Sequence, residues 1–380
     1  MGAEAVSGES ARIIVIKIGS STLVDEQGVL DRSYLERLAE KVVNLREHGW
    51  SPVIVSSGSI ACALPVLGYD KRPSDMPSLQ AAASVGTNIL FSGYSEEFAK
   101  HGLLTSTVLL TRGTTANRES YLRARNTLLR LVELGVVPVV NENDTISLDQ
   151  IKFGDNDTLA ALVSCLIKAE LCVLFSDIDG LYTANPNTDP TATLIPRVEK
   201  VTPEVMGLAD GVGSSVGSGG MLTKLRAARV LMVAGIPMLI CHGRKLENLD
   251  QVAKGVPVGT LFEAPEKRHE ITPRKLWIAL GDTVKGSVFV DEGAKAALEE
   301  RGSSLLPVGM TGIEGSFQPG DVIDVKDVQG RVIARGLAQA SSDEAELACG
   351  WSQARIQNNV LLRDLSDHPM IHRDELVVFE

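Results

Sequence analysis

Long hydrophobic runs, an excess of positive charge and a disulfide-like set of cysteines are all missing from this 380-residue chain. Its formal net charge is −11 at pH 7, whereas proteins that bind nucleic acid nonspecifically are basic. The longest apolar stretch, near residues 230–241, contains Gly235 and Pro237 and is too short to span a bilayer. With 44% hydrophobic and 22% charged residues, the composition is typical of a soluble globular protein. It argues against a general polyanion binder and against a membrane protein.

The cysteines and histidines form no recognisable metal-binding or catalytic pattern. The five cysteines are odd in number and lack the paired spacing of metal sites: Cys62, Cys165, Cys172, Cys241 and Cys349. Three of them sit in apolar runs, so we interpret them as buried thiols in a reducing compartment and predict a cytoplasmic protein. The first ten residues have neither the basic start nor the apolar core of a signal peptide. No Ser–His–Asp or Cys–His arrangement stands out, so we predict neither a hydrolase nor a metal bound directly by the protein.

From residue 11 to about residue 265 the chain alternates apolar runs with amphipathic segments. We predict strands at residues 13–16, 52–55, 136–140, 172–175 and 236–241. Helices are predicted from about Ser33 to Gly49, over 118–134, from about Thr158, and over 223–233; Ser33 and Glu36 have the spacing of a capping box. The alternation favours an α/β fold, with a mainly parallel sheet between two layers of helices and ligands at the carboxyl ends of the strands.

The sequence changes character near residue 265, and the chain length already favours two domains. Residues 266–274 form a charged stretch, which we interpret as a linker. Beyond it, turn residues such as Gly312 and Gly315 separate short strands predicted at 287–290, 304–307, 322–325 and 332–336, with a helix near 293–301. We predict a flexible N-terminus at 1–10, a catalytic domain at 11–265, a small β-rich domain at 275–357 and a C-terminal tail at 358–380. Residues 376–379 either add a strand or pack as part of that tail.

Two glycine-containing segments have the composition of phosphate-binding loops. Lys17 ends the first strand and is followed by Gly19 and Ser20, in a turn whose N–H groups can bind phosphate oxygens beside a lysine. Residues 213–224 (Gly-Ser-Ser-Val-Gly-Ser-Gly-Gly-Met-Leu-Thr-Lys) open directly into a helix that has Lys224 in its first turn. Neither segment matches a Walker A loop or a dinucleotide fingerprint. The alternatives are an ordinary surface turn and a flexible linker.

Three polar clusters follow predicted strands or begin a predicted helix. They are residues 141–144 (Asn-Glu-Asn-Asp), 154–157 (Gly-Asp-Asn-Asp) and 176–180 (Ser-Asp-Ile-Asp-Gly). Bare carboxylates would repel a nucleotide, so these groups would have to hold Mg²⁺ through water, orient lysines or bind a substrate ammonium group. The structural alternative for a single residue is a turn at Asp144 or a helix N-cap at Asn156 or Asp157.

Taken together, six segments resemble the amino acid kinase family, in that family's order along residues 11–262. They are residues 15–21 (Val-Ile-Lys-Ile-Gly-Ser-Ser), 55–61 (Val-Ser-Ser-Gly-Ser-Ile-Ala), 138–144 (Pro-Val-Val-Asn-Glu-Asn-Asp), 153–157 (Phe-Gly-Asp-Asn-Asp), 176–182 (Ser-Asp-Ile-Asp-Gly-Leu-Tyr) and 217–224 (Gly-Ser-Gly-Gly-Met-Leu-Thr-Lys). The β-rich remainder resembles the PUA module of many bacterial members that act on glutamate. Family members often have Thr where Ser176 stands, a change that keeps the hydroxyl, and Ala-Gly where Cys62-Ala63 stands.

The resemblance implies a role for each matching residue. It places Lys17, Lys224 and Asp157 in catalysis, with the lysines on the ATP phosphates and Asp157 organising them. Ser57, Asp144 and Asn156 would bind glutamate. The implied nucleotide site is a larger set: Lys17, Gly19, Ser20, Ser176, Asp177, Ser218, Gly219, Gly220, Met221, Leu222, Thr223 and Lys224.

The activity implied is transfer of the ATP γ-phosphoryl group, with Mg²⁺, to the side-chain carboxylate of L-glutamate, the first step of proline biosynthesis. The resemblance further implies a homo-oligomer (dimer or tetramer), inhibition by proline and hand-off of the product to glutamyl-phosphate reductase. One rival is another carboxylate or phosphate kinase of the same fold. A second is an RNA-binding regulatory protein acting through the PUA-like domain. Residues 275–357 hold eight basic and twelve acidic side chains, which disfavours RNA binding.

Overall fold

The computed structural model describes residues 12–25, 27–111, 118–146, 156–209, 220–264, 272–280, 284–359, 362, 365 and 368–379. The chain divides into two compact units, Met1–Arg268 and His269–Glu380. The predicted N-terminal segment at 1–10 and most of the predicted linker lie outside the described residues. In the part of the chain that is described, every helix is too short or too polar to cross a membrane.

An eight-stranded sheet forms the centre of the first unit. Its strands are β1 (Arg12–Ile18), β2 (Trp50–Ser56), β3 (Thr105–Leu110), β4 (Val137–Glu142), β5 (Leu171–Ser176), β6 (Arg197–Val198), β7 (Met238–His242) and β8 (Thr260–Phe262). Their order across the sheet is β3-β4-β2-β1-β5-β7-β8-β6. Neighbouring strands are parallel except β7 and β8. The prediction of a mainly parallel α/β sheet is confirmed.

Helices cover both faces of this sheet. They are α1 (Ser20–Leu23), α2 (Arg32–Glu47), α3 (Ser59–Ala63), α4 (Met76–Ala99), α5 (Arg118–Glu133), α6 (Asn156–Leu166), α7 (Pro203–Gly207), α8 (Met221–Val233) and α9 (Glu247–Ala253). Ile14, Ile16 and Ile18 of β1 share one core cluster with residues of α2 and α4. Side chains alternate between the faces of a strand, and α6 packs on β1 and β5 and against α8. Lys17, between two of these isoleucines, therefore points to the side of α6.

Helix α2 begins at Arg32, and its N-cap is Asp31. The Tyr34 N–H donates to Asp31 Oδ1 at 2.9 Å, and the Ser33 hydroxyl donates to the same oxygen at 2.6 Å. A carboxylate is as good an acceptor for the first free N–H groups of a helix as a serine hydroxyl. The predicted capping box at Ser33 and Glu36 is therefore wrong, because the cap lies two residues earlier.

The 24-residue helix α4 was not predicted from the sequence. It contains Gly86 and Gly93, and glycine disfavours a helix interior. A Cβ at Gly86 would lie 1.6 Å from the Ser59 carbonyl oxygen, and a Cβ at Gly93 would lie 2.4 Å from Leu30 Cδ2. Both glycines are therefore required by close approach of α4 to its neighbours, which sequence periodicity does not report.

The second unit contains a separate five-stranded sheet with the order β10-β9-β11-β12-β13. The strands are β9 (Gly286–Val290), β10 (Met310–Gly315), β11 (Val322–Lys326), β12 (Val332–Leu337) and β13 (Leu376–Val378). The helices are α10 (Pro273–Leu280), α11 (Glu292–Arg301), α12 (Ser342–Ala348) and α13 (Gln353–Gln357). This β-rich unit confirms the second part of the predicted fold class.

Two predictions for this unit are corrected. Residues 304–307 do not form a strand: Leu305 makes a single bridge to Ile371, and a 3-10 helix, Pro307–Gly309, follows it. The strand is Met310–Gly315, so Gly312 lies within it and not in a turn. The alternative left open for residues 376–379 resolves as a strand, because Leu376–Val378 pairs antiparallel with β12. The sheet therefore extends beyond residue 357, into the segment predicted as a tail.

Candidate active site

The candidate site lies where the carboxyl ends of four neighbouring parallel strands meet. Lys17 is next to last in β1, and Ser57 directly follows β2. Asn141 is next to last in β4, and Ser176 ends β5. Ligands of open parallel sheets bind at this edge. The fold thus collects residues from four distant segments of the chain, and three of them, Lys17, Ser57 and Ser176, were predicted for the site.

Lys17, Asp157 and Lys224 form a buried cluster at this edge. The Lys17 ammonium nitrogen lies 2.8 Å from Asp157 Oδ1, and the Lys224 ammonium nitrogen lies 3.1 Å from Asp157 Oδ2. The Asp157 side chain is fully buried, and the two lysine side chains are 8% and 6% exposed. Each carboxylate oxygen therefore binds one ammonium group. The three predicted catalytic residues are brought together in the structure.

Secondary structure explains how these charges meet. Lys17 belongs to an apolar strand in the middle of the sheet. Asp157 lies in the first turn of α6, where the helix dipole favours a negative charge. Lys224 lies in the first turn of α8, which packs against α6. The converging amino ends of α6 and α8 thus place one acid and one base side by side.

The cluster carries one more positive than negative charge in a site with little water. Burial by itself raises the pKa of Asp157, but the charges of Lys17 and Lys224 and the hydrogen bonds of Lys17 and Thr223 outweigh it. The pKa of Asp157 therefore lies well below its usual value, and this carboxylate stays ionised. Buried charges are costly unless they are paired, so the net positive charge makes this place suited to an anion.

The amino end of α8 supplies several predicted nucleotide-site residues. Gly220 is the N-cap of α8, with extended backbone, and Met221 is buried just after it. The Thr223 hydroxyl lies 2.8 Å from Asp157 Oδ2 and 2.7 Å from the Gly220 carbonyl oxygen, and its single hydrogen serves one of them at a time. Thr223 therefore contacts the acid of the cluster, while Leu222 is half-buried. Ser218 and Gly219 lie outside the described residues, as do Gly154 and Asp155 of the second polar cluster.

Ser57 and Asn156 belong to a hydrogen-bonded network beside the charged cluster. Asn156 Nδ2 lies 2.8 Å from Ser57 Oγ, 2.8 Å from the Ser56 carbonyl oxygen and 3.0 Å from Asn141 Oδ1. Asn141 Nδ2 in turn donates to Ser59 Oγ at 2.9 Å. Ser57 and Asn156, two of the three predicted substrate residues, therefore contact each other, because α6 places Asn156 over the end of β2.

The turn between β2 and α3 depends on a glycine. Gly58 has φ 101° and is the N-cap of α3. This left-handed conformation is open to glycine and strained for other residues. The turn presents Ser57 and Ser59 to Asn156 and Asn141, respectively, so the glycine fixes the shape of the network.

Asp144 lies just after β4 and is half-buried. Burial raises the pKa of Asp144 to about 6, although the charge of Arg72 works in the opposite direction. Such a group is destabilised when ionised and gains from an incoming cation. A substrate ammonium group has that charge.

The remaining predicted nucleotide residues follow Lys17 in the chain or lie at the end of β5. Ser176 is buried at the end of β5, and its hydroxyl donates to Asp177 Oδ1 at 3.1 Å. The Asp177 side chain is exposed. Gly19 and Ser20 follow β1 directly, and a Cβ at Gly19 would lie 3.8 Å from Lys17 Nζ. These residues flank the cluster without contacting Asp157 among the described hydrogen bonds.

Two residues of the network were not singled out from the sequence. Asn141 was noted only as part of a polar cluster, and Ser59 only as part of a segment resembling the family. Both are nearly fully buried, at 2% exposure. A polar residue that is buried at the end of an apolar strand must find a hydrogen-bond partner. Applied to Asn141, this rule could have identified the residue from the sequence.

Two family models match parts of this chain. Residues 12–242 match the model of the amino acid kinase family, and residues 286–359 match that of the PUA domain. A protein of Paraburkholderia phymatum named "Glutamate 5-kinase" is 43% identical over 368 residues, which cover 97% of this chain and 98% of that protein. A "Glutamate 5-kinase" of Ralstonia pickettii is 43% identical, covering 97% of each chain. One of Citrifermentans bemidjiense is 44% identical, covering 96% of this chain and 97% of its own.

A solved structure is also similar to this chain. It is described as "X-ray structures of isopentenyl phosphate kinase", with a TM-score of 0.46 and 22% identity, over 66% of this chain and 99% of that one.

Proposed function

The chain belongs to the amino acid kinase family, and from that premise we propose that it transfers the γ-phosphoryl group of ATP to the side-chain carboxylate of L-glutamate. Relatives that align over nearly their whole length carry the name "Glutamate 5-kinase". The two matched domains cover the catalytic and the β-rich parts of the chain. The product would be an acyl phosphate, L-glutamyl 5-phosphate, and the reaction would open proline biosynthesis.

One observation carries the proposal: Lys17 and Lys224 converge on the two oxygens of Asp157. Phosphoryl transfer requires alignment of two anions and stabilisation of negative charge spread over the transferring group. Two ammonium groups held by one carboxylate meet that need. We assign the lysines to the phosphates and Asp157 to their positioning.

The acceptor chemistry follows from the state of Asp157. Its pKa lies well below the usual value because both lysines bind it, although burial works against this shift. A carboxylate held in this way is a poor proton acceptor. An alcohol acceptor would need a base to take its proton, whereas a carboxylate acceptor is already ionised at neutral pH. The cluster therefore favours a carboxylate acceptor over an alcohol.

We assign glutamate binding to Ser57, Asp144 and Asn156. Both hydrogens of Asn156 Nδ2 are directed at acceptors of the network. Asn156 Oδ1 then remains as an acceptor for the substrate, and Asp144 supplies a negative charge. Both are complementary to the α-ammonium group of an amino acid.

The proposed step is a direct displacement. One oxygen of the substrate side-chain carboxylate attacks the γ-phosphorus, and the bond from that phosphorus to the oxygen shared with the β-phosphate breaks. The electron pair of that bond leaves with ADP. Lys224 and Lys17 stabilise the charge on the transferring group and on the leaving oxygen.

Magnesium fits this site as part of the nucleotide complex. Both Asp157 oxygens are engaged by ammonium groups, and the described residues show no cluster of three metal-ligating side chains. Mg²⁺ usually keeps several waters and is bound largely by substrate phosphates. We propose that Mg²⁺ would be bound together with ATP and would supply neutralisation of phosphate charge, while Lys17 and Lys224 act from the protein.

The wider setting remains a proposal from the resemblance. Acyl phosphates are labile, so the next reaction would be reduction by a glutamyl-phosphate reductase that receives the product directly. A homo-oligomer (a dimer or tetramer) and inhibition by proline also belong to the proposal. All five cysteines are free thiols, which is compatible with the cytoplasmic location that we propose.

The test is ATP-dependent acyl phosphate formation, trapped with hydroxylamine as a hydroxamate. Purified protein is assayed with L-glutamate, aspartate and N-acetylglutamate, and ADP release is measured in parallel. We expect glutamate to be the preferred acceptor, with equal amounts of ADP and hydroxamate. Preference for another acceptor would support the rival kinase, and a gel shift with RNA at physiological salt without any turnover would support the RNA-binding rival.

A further inference from the structure

We propose that Ser59 is a positioning residue, which anchors the far end of a chain of two hydrogen-bonded site carboxamides and thereby supports the recognition of the substrate amino group. The inference rests on the proposed function. Ser59 is 2% exposed and follows the Gly58 turn. It acts through Asn141 and Asn156, without contact to the reacting atoms.

The orientation of the amides follows from one fixed acceptor. The Ser56 carbonyl oxygen can only accept a hydrogen bond, and Asn156 Nδ2 lies 2.8 Å from it. The nitrogen of Asn156 must therefore face β2. The Asn141 atom that lies 3.0 Å from this nitrogen must be the oxygen, so the nitrogen of Asn141 faces away from Asn156.

Ser59 ends the series of hydrogen bonds that runs from Asn156 through Asn141. Asn141 Nδ2 donates to Ser59 Oγ at 2.9 Å. Both partners are buried, and a buried donor without an acceptor is costly. The Ser59 hydroxyl thus satisfies the NH₂ group of Asn141 in the orientation that presents an acceptor to Asn156.

Loss of this acceptor would disturb both amides. Without Ser59 Oγ, the buried NH₂ group of Asn141 loses the acceptor that it has in the native orientation. Rotation of the amide would not relieve this loss, because it would bring the nitrogen of Asn141 against the nitrogen of Asn156. In either case Asn156 loses part of its support on the Asn141 side and would shift, although the Ser56 carbonyl oxygen still holds its nitrogen. Within the described residues Asn156 Oδ1 accepts no hydrogen bond, and in the native orientation it is the atom left for a ligand.

The consequence is a role in specificity. An oxygen from Asn156 and the negative charge of Asp144 both favour an ammonium group, and a displaced Asn156 would present its oxygen less well. Ser59 therefore contributes to the choice of an amino acid over a dicarboxylate that lacks the amino group, such as glutarate. It does not affect ATP, which the lysine cluster binds.

The experiment compares Ser59→Ala with Ser164→Ala in the full-length protein. Ser164 is a matched control, because it is a fully buried serine whose hydroxyl donates to the Ala160 carbonyl oxygen at 2.7 Å, within the helix that carries Asn156. For Ser59→Ala we expect the KM for glutamate to rise about tenfold. The KM for ATP and the turnover of glutarate should stay within about twofold of wild type. Ser164→Ala should change none of these constants.

Two further variants separate the effect of the lost hydrogen bond from the effect of the small cavity that Ser59→Ala leaves. Ser59→Cys keeps the side-chain shape but is a weak acceptor, so it should also raise the KM for glutamate. In the Asn141→Ala background, Ser59→Ala should add little, because Ser59 acts through Asn141. The proposal would be overturned if Ser59→Ala impaired the use of glutamate, glutarate and ATP equally. It would also be overturned if the effects of the two substitutions on the KM for glutamate were additive in the double variant. Failure of wild-type protein to phosphorylate glutamate would instead overturn the proposed function.

Discussion

The Lys17 ammonium nitrogen lies 2.8 Å from Asp157 Oδ1, in a pair that is almost fully shielded from water. Such a pair contributes little net stability, because removing both charges from water costs about as much as their attraction returns. A stable core would be built more simply from apolar residues. We infer that the pair is kept because Asp157 holds the Lys17 ammonium group in place at the sheet edge, and the following predictions test that view.

The first prediction concerns Lys224. In Lys224→Ala we expect kcat to fall by about 10²-fold or more, because a main stabiliser of the transition-state charge is lost. The measurement is steady-state ADP release with saturating glutamate. Lys41→Ala is the matched control, since Lys41 is a half-buried lysine of α2 that lies 2.7 Å from Asp250 Oδ2. Its kcat should stay within about twofold of wild type, and an equal loss in both variants would remove Lys224 from catalysis.

The second prediction concerns Asp157. Replacing it with Asn leaves two buried ammonium groups without their counter-ion, and removal of one partner of a buried pair costs about 3–5 kcal/mol. We expect the free energy of unfolding of Asp157→Asn at pH 7 to fall by about that amount, as measured by urea titration.

The pH dependence of this difference has a definite sign. Burial raises the pKa of Asp157, but the two lysines lower it by a larger amount. The pKa in the folded state therefore lies below the pKa in the unfolded state. The stabilisation is therefore present above the unfolded value near 4 and is lost as the pH falls towards the folded value. The stability gap between wild type and Asp157→Asn should narrow below pH 4. A gap that widens on acidification would contradict the ion-pair assignment.

The sequence predicted the parts of the site that have local signatures. Lys17 at the end of a β-branched strand and Lys224 at the start of a helix are visible as patterns of three or four neighbours. Their convergence on Asp157 depends on strand order, with β1 between β2 and β5. The family resemblance supplied that relationship, because strand order is not written in local periodicity.

Other features of the fold were missed or misplaced because their local sequence signals were ambiguous or absent. The capping box at Ser33 was a valid local signal, yet Asp31 offers an equally good acceptor two residues earlier. Helix α4 carries glycines at the positions where it meets Ser59 and Leu30. The tail strand Leu376–Val378 pairs with β12, its partner lying far back in the sequence. For the cap two neighbouring residues compete locally, whereas tertiary neighbours decide the other two outcomes.

The third prediction concerns the pH dependence of glutamate binding. Burial raises the pKa of Asp144 to about 6, with the charge of Arg72 opposing the shift. Binding of a substrate ammonium group requires the ionised form of Asp144. The kcat/KM for glutamate should therefore fall as the pH drops through about 6, approaching tenfold per pH unit below it. The profile is measured between pH 5 and pH 8.

The matched variants for this prediction are Asp144→Asn and Asp144→Ala. Both should have a KM for glutamate raised far more than the KM for ATP, because only the amino acid has the ammonium group that Asp144 binds. Their profiles should lose the inflection near pH 6. An inflection that persists in Asp144→Asn belongs to another group, such as the nucleotide, and equal changes in both KM values would place Asp144 outside the substrate site.

The last prediction links helix packing to the site. Gly86→Ala places a methyl group 1.6 Å from the Ser59 carbonyl oxygen, so α4 and the turn that carries Ser59 must separate. Overpacking of this kind costs about 1–3 kcal/mol, and we expect that loss in urea unfolding together with a higher KM for glutamate. Gly207→Ala is the control, because a Cβ there meets nothing within 4 Å and should leave stability and both KM values nearly unchanged. If Gly86→Ala lowered stability while leaving the KM for glutamate at the wild-type value, the α4 contact would support the fold without shaping the substrate site.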